Sequence, residues 1–159
     1  MTEDLWAEFR NRAKEPKKAI HLAWFAGLFD GEGCVTIKPV HSKEYRRTSY
    51  QLGIQIAMTH AETVKRVSEF WGRGNLRTQE QGGFGTKQVW VWRAQADDAL
   101  AILEECLPYL FTKKAEAEVG ITFQKRKQEI RRMWSLAHIP DAELAALSRL
   151  RDKLREARA

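Results

Sequence analysis

Hydrophobic positions along the chain change period several times, and each change marks an element. Residues 2–14 place Leu5, Trp6 and Phe9 on one side of a short amphipathic helix, which Lys14-Glu15-Pro16-Lys17-Lys18 breaks. From Ala19 to Gly31 the chain is apolar almost all round, with Ala23, Gly27 and Gly31 at i, i+4 and i+8. One face of that helix carries almost no side chain. Glycine costs roughly 1 kcal/mol in a helix interior, so two in one tract need a compensating reason. Close approach of a second backbone supplies one, as small residues at every fourth position do between membrane helices. Asp30 and Glu32 end the tract, and the apolar run is too short to span a bilayer. Gly33 stops the helix, so Glu32 stands at a helix C-terminus beside a bare packing face.

From Cys34 to Met58 the period is two. Val35 and Ile37 alternate with Thr36 and Lys38; after Pro39, the tract His41-Ser42-Lys43-Glu44-Tyr45-Arg46-Arg47 is polar and basic, as a hairpin tip is. On the return strand Leu52, Ile54, Ile56 and Met58 point one way, and Ser49, Gln51, Gly53, Gln55 and Ala57 the other. A ribbon with one polar face fits the DNA major groove, where Gln pairs with adenine and Arg or Lys with guanine; an ordinary solvated hairpin has the same pattern.

Residues 60–71 have Val64, Val67, Phe70 and Trp71 at helical spacing, with Thr59 as N-cap and Glu62 completing a capping box. Gly72-Arg73-Gly74 turns the chain. Asn75 to Gln81 reads as a third strand, Gly82 to Gly85 as its turn, and Lys87 to Arg93 as a fourth. Arg77 and Gln79 alternate with Leu76 and Thr78, while Trp90 and Trp92 share a face opposite Val89, Val91 and Arg93. Both faces of that strand have an apolar claim on the core. Helices are expected from Asp97 to Pro108, from about Thr112 to Ala137, and from Pro140-Asp141 onward with Leu144, Leu147, Leu150 and Leu154 on one side.

The chain has 159 residues, enough for one real core, and a formal charge of +6. A basic balance fits a nucleic-acid partner without requiring one. Two distant cysteines, Cys34 and Cys106, argue against a disulfide framework or a zinc knuckle and point to a reducing, intracellular setting. The glycine turn is not a phosphate loop, since no Gly-Lys-Ser/Thr follows. No signal peptide, membrane-spanning run or internal repeat is seen. Lys14 to Lys18 reads as a solvated linker or a contact with DNA phosphate.

Phe25-Ala26-Gly27-Leu28-Phe29-Asp30-Gly31-Glu32-Gly33 resembles the signature of the LAGLIDADG homing endonucleases, with aromatic, Gly and Glu variants at the first, fifth, seventh and eighth positions. The likeness extends, in order, to Ile54-Gln55-Ile56-Ala57-Met58-Thr59-His60, to Gly72-Arg73-Gly74, and to Leu107-Pro108-Tyr109-Leu110-Phe111-Thr112-Lys113-Lys114-Ala115-Glu116-Ala117. It implies an α+β fold of plan αββαββα, two antiparallel β-hairpins forming a DNA-binding saddle, with extra C-terminal helices. The expected division is a helix and linker over 1–18, the endonuclease core over 19–137 and a terminal helix over 138–159.

The resemblance also implies chemistry. Hydrolysing a phosphodiester requires a polarised phosphoryl oxygen, an attacking water and a stabilised leaving oxygen, and divalent metals supply all three. Glu32 falls at the family's metal-binding acidic position, usually Asp, and would hold Mg²⁺ with DNA phosphates and water. Lys113 falls where the family has a basic residue near the scissile phosphate, with Lys114 as alternate, and His60 where a polar residue orders the nucleophilic water. Lys38, Lys43, Arg46, Arg47, Ser49, Gln51, Gln55, Arg77 and Gln79 are the candidates for DNA contact. With a single signature, the chain is expected to form a homodimer through Ala23, Gly27, Asp30 and Gly31. Such a dimer would cut a long pseudo-palindromic duplex site across the minor groove, as enzymes of intron mobility do. The rivals are a cleavage-deficient DNA-binding regulator or an intron-RNA-binding maturase of the same fold, and a basic interaction protein with an accidental motif.

Overall fold

A computed structural model describes residues 19–79 and 87–158. The expected helix over 2–14, the linker after it and the glycine turn Gly82 to Gly85 lie outside these residues. Helix α1 (Ala19–Glu32) passes directly into β1 (Gly33–Ser42), which pairs with β2 (Arg47–Met58); α2 (Ala61–Trp71) precedes β3 (Asn75–Gln79) and β4 (Val89–Gln95). Helices α3 (Ala96–Cys106), α4 (Lys114–Met133) and α5 (Asp141–Ala157) complete the chain, with 3₁₀ turns at Leu107–Tyr109 and Leu136–His138. The expected order of helix, hairpin, helix, hairpin, helices is present.

The sheet is antiparallel with order β1-β2-β4-β3. Register places Val35 opposite Ile54, Ile37 opposite Leu52, Ile54 opposite Ala94 and Ile56 opposite Trp92, and all of these are buried on the helix-covered face. Residues one position away lie on the other face by the alternation of a strand. Strand β1 continues through Pro39 to Ser42, longer than the sequence suggested, because β1 is an edge strand and a proline there deprives no outer neighbour of a hydrogen bond. The hairpin tip is thus only residues 43–46, where Arg46 takes φ 48°.

Phe25 centres the core. Its ring meets Trp71 edge-on at 5.0 Å and Trp92 at 6.0 Å, and stacks on Phe29 at 5.7 Å. Trp92 is fully buried and its indole N–H donates to the Arg73 carbonyl at 3.0 Å, which settles the facing of β4. Val89 and Val91 on the opposite face are also buried, so both apolar claims on that strand are met. Gly120 marks where α4 crosses closest: a Cβ there would lie within 3.1–3.2 Å of Leu52, Leu103 and Val35. Ile139, Leu147 and Leu154 belong to the same buried cluster, so α5 shares the core. Helix α4 is shorter at both ends than its pattern suggested: Trp134 is extended, and the residues before Lys114 are held outside the helix by Asp30. Cys34 and Cys106 are free thiols, and burial pushes that of Cys106 up to about 12. Among the described residues no helix is long and apolar enough to cross a membrane.

Candidate nuclease site and nucleic-acid interface

Helix α1 buries one side and leaves the other open. Leu22, Phe25, Ala26 and Phe29 are buried, while Ala23, Gly27 and Gly31 are exposed. A Cβ built on Gly27 or Gly31 would meet nothing within 4 Å, so nothing in the described chain requires either glycine. Ile20 extends the same stripe by one turn and is 71% exposed. An isolated reading of small residues could not have included it; spacing of three from Ala23 was its only signal.

Gly33 has a different reason from the one expected. Its φ is not in the left-handed region; among the described residues the left-handed glycines are Gly72 and Gly74. A Cβ on Gly33 would instead collide with the ring and carbonyl of Phe29. Glycine is therefore required for the chain to turn from helix to strand with no intervening loop. That junction carries Glu32, exposed at the negative end of α1 and without an ion pair among the described residues.

Asp30 sits one residue inside the junction and faces its own chain. Its Oδ2 accepts from the Phe111 amide and its Oδ1 from the Lys113 amide, each at 2.8 Å. Both oxygens are engaged within the chain, where they fasten the start of α4 to the end of α1. Lys113 is held again through its carbonyl, which accepts from the Ala117 amide at 2.9 Å, and through Nζ, 3.4 Å from Glu116 Oε1. Lys114 is exposed as the first residue of α4.

His60, rather than Thr59, is the N-cap of α2: its Nδ1 lies 2.8 Å from Thr63 Oγ1 and accepts from the Thr63 amide at 3.4 Å. No described hydrogen bond ties it to Glu32 or Lys113, so its imidazole has a capping role that needs no catalysis. Among the described residues no group of three or more His, Cys, Asp and Glu could hold a metal. One Glu32 offers a hard oxygen donor that fits Mg²⁺ only alongside donors beyond the described residues.

The sheet face away from the helices carries the expected polar residues. Lys38, Arg77 and Gln79 are exposed, as are Lys43 and Arg46 at the hairpin tip. Gln55 accepts from Arg93 across the register at 2.7 Å, which adds Arg93, a residue the twin apolar claims of β4 concealed. A shallow depression of about 170 Å³ between Lys38, Gln51, Arg93 and Gln95 lies on this face. Ser49 and Gln51 are half-buried and also line a cleft of about 230 Å³ with Lys127, Arg131 and Trp134. Arg47, another expected DNA contact, is engaged within its own chain. Its guanidinium donates to the Ala137 carbonyl at 3.1 Å and to Asp141 at 2.8 Å, docking the start of α5 onto β2. Beside it Lys127 donates to the Tyr50 carbonyl, and burial lowers its pKa below the ordinary lysine value.

No family model and no curated protein matches the chain. Solved structures do. The homing endonuclease I-CvuI, in complex with the I-CreI target in the presence of 2 mM Mg, superposes with a TM-score of 0.72 at 20% identity, covering 87% of this chain and 82% of that one. A second I-CvuI complex was obtained in 2 mM Ca. The archaeal intron-encoded homing endonuclease I-Vdi141I, complexed with DNA, gives 0.69 at 14% identity over 89% of this chain and 86% of that one. The LAGLIDADG homing endonuclease I-SmaMI, bound to cleaved DNA, gives 0.67 at 15% identity over 100% of this chain and 54% of that one. These likenesses show the fold.

Proposed function

We propose that this chain, which has the LAGLIDADG homing endonuclease fold, is a site-specific, metal-dependent DNA endonuclease acting as a homodimer. The observation that carries the reading is Glu32: an exposed carboxylate, unpaired among the described residues, delivered at the end of a helix whose adjoining Gly27 and Gly31 meet nothing in the described chain. Two copies related by a two-fold axis would cover both stripes with one isologous contact and bring two Glu32 carboxylates together, one for each DNA strand.

Each chain contributes a carboxylate to hold a divalent cation and, through Lys113, an ammonium beside the scissile phosphate. The cation, when bound, supplies Lewis-acid polarisation of the phosphoryl oxygen. Lys113 stabilises charge developing on the phosphate, an interaction strongest in the transition state. The open sheet face, with Lys38, Gln51, Gln55, Arg77, Gln79 and Arg93, would lie in the major groove on either side of the cut. Retention of both Glu32 and Lys113 favours cleavage over a DNA-binding regulator or an intron-RNA-binding maturase.

The test is incubation with a duplex library in Mg²⁺, in Ca²⁺ and in EDTA. Discrete cut ends in Mg²⁺ alone are expected, with binding but no cutting in Ca²⁺. Binding that never leads to cutting in any divalent metal would identify the regulator instead.

A further inference from the structure

Glu116 is a charged side chain that the proposed chemistry leaves unused, yet it is buried, with only 6% of its side chain exposed. A carboxylate withdrawn from water is tolerated when it is paired and hydrogen-bonded. Glu116 is paired twice. Oε1 lies 3.4 Å from Lys113 Nζ, and Oε2 accepts from Arg158 Nε at 3.1 Å. Arg158 comes from the far end of α5, and its Nη2 donates to the carbonyl of Val35, three residues after Glu32.

The geometry has a direction. Lys113 is the N-cap residue of α4, where the positive end of the helix repels an ammonium. Left alone, a flexible lysine there would swing into solvent. Glu116, one turn on, supplies the opposite charge, and Arg158 fixes the Glu116 carboxylate against β1. The guanidinium thus links the strand that leaves Glu32 to the helix that carries Lys113. We infer that Glu116 and Arg158 are positioning residues, which hold the Lys113 ammonium in register with Glu32; this rests on the nuclease reading above.

The experiment has two arms. In the metal-free protein, the ¹⁵N signal of the Lys113 ammonium, assigned by its loss in Lys113→Ala, should be protected from solvent exchange in wild type. It should collapse to that of a free lysine in Glu116→Gln. In Mg²⁺, single-turnover cleavage by Glu116→Gln and by Arg158→Ala should fall about 10- to 100-fold, while DNA affinity measured in Ca²⁺ stays within about twofold. Arg158→Lys, which keeps the charge, should recover most of the rate. A general structural role would lower affinity, melting temperature and rate together, and that result overturns the inference. So does an unchanged ammonium signal, or wild-type cleavage, in Glu116→Gln. If Glu116→Gln does not fold, the Arg158 pair at the more exposed helix end decides by the same readouts. A wild-type protein that cuts no DNA defeats the nuclease reading, whereas the ammonium arm still decides whether Glu116 holds Lys113.

Discussion

The carboxylate of Asp30 and the backbone of Lys113 are joined by a 2.8 Å hydrogen bond, and a second bond of equal length runs from the same carboxylate to Phe111. Two amides at the start of one helix are thereby fixed to the end of another. Charge-assisted bonds of this kind contribute about 1.5–3 kcal/mol each. Asp30→Asn keeps one acceptor oxygen and loses the other, so the folded state should lose about 1–3 kcal/mol in urea unfolding. Cleavage should fall further than stability, since the Lys113 backbone is then held at one end only.

Among the described residues Glu32 has no such partner. Glu32→Gln should therefore leave the melting temperature within about a degree of wild type, because surface substitutions away from structural contacts change stability by about 0.5 kcal/mol or less. Cleavage should drop by orders of magnitude while Ca²⁺-supported DNA binding persists. Near-normal cutting by this variant would place the chemistry elsewhere.

For the small-residue stripe the decisive variant is Gly27→Leu. A Cβ at this position meets nothing within 4 Å among the described residues, and replacing a helical glycine removes a cost of roughly 1 kcal/mol, so the protomer should fold at least as well. Two protomers could no longer approach there. Light scattering should find a monomer at micromolar concentration, and cleavage should be lost. A wild-type protein that stays monomeric with cognate DNA present would sink the dimer.

Alanine variants of Gln55, Arg93 and Arg77 should shift which base pairs are preferred, each by about 1–3 kcal/mol at its own position. Gln55 and Arg93 are hydrogen-bonded to each other, so their double variant should show less than the sum of the two. Arg47→Ala should instead loosen α5 and lower the melting temperature with little change in preferred sequence.

Acid should weaken the seam between α3 and α4. The side-chain amides of Gln128 and Gln124, with Arg131 nearby, hold the Asp97 carboxyl below the ordinary carboxylate range. A folded-state value below the unfolded one gives stability that is complete above the unfolded pKa of about 3.9 and is lost as pH falls through the folded value. Asp97 is 55% exposed, so solvent screening limits the effect to about 1 kcal/mol or less. The gap between wild type and Asp97→Asn in urea unfolding should be present at pH 7 and close as acidification passes the folded-state value.

The parts legible in the sequence were those set by periodicity. Alternation of Leu52, Ile54 and Ile56 with Gln51, Gly53 and Gln55 gave the facing of β2, because one slipped residue would expose the whole apolar set. The stripe of Ala23, Gly27 and Gly31 was equally plain. Residues whose roles depend on distant partners were hidden. Arg47 and Arg46 are neighbours of the same chemistry, and only the approach of Ala137 and Asp141 separates the docked one from the exposed one. Glu116 likewise reads as one more acid on a charged helix until Arg158 arrives from the end of α5. The capping shift from Thr59 to His60 turned on a single hydrogen bond to the Thr63 amide.

Pro39 has a consequence beyond its own strand. A ten-residue strand at the margin of a sheet offers a ladder of unpaired amides to which another chain can add, the usual start of edge-to-edge aggregation. Pro39 removes one rung, with Lys38 beside it, and Arg158 occupies the Val35 carbonyl nearer the other end. The free run between these two points is too short to template a new strand. The protein should accordingly stay free of edge-to-edge association at high concentration, and replacing Pro39 with valine should make it prone to fibril formation before it makes it unstable.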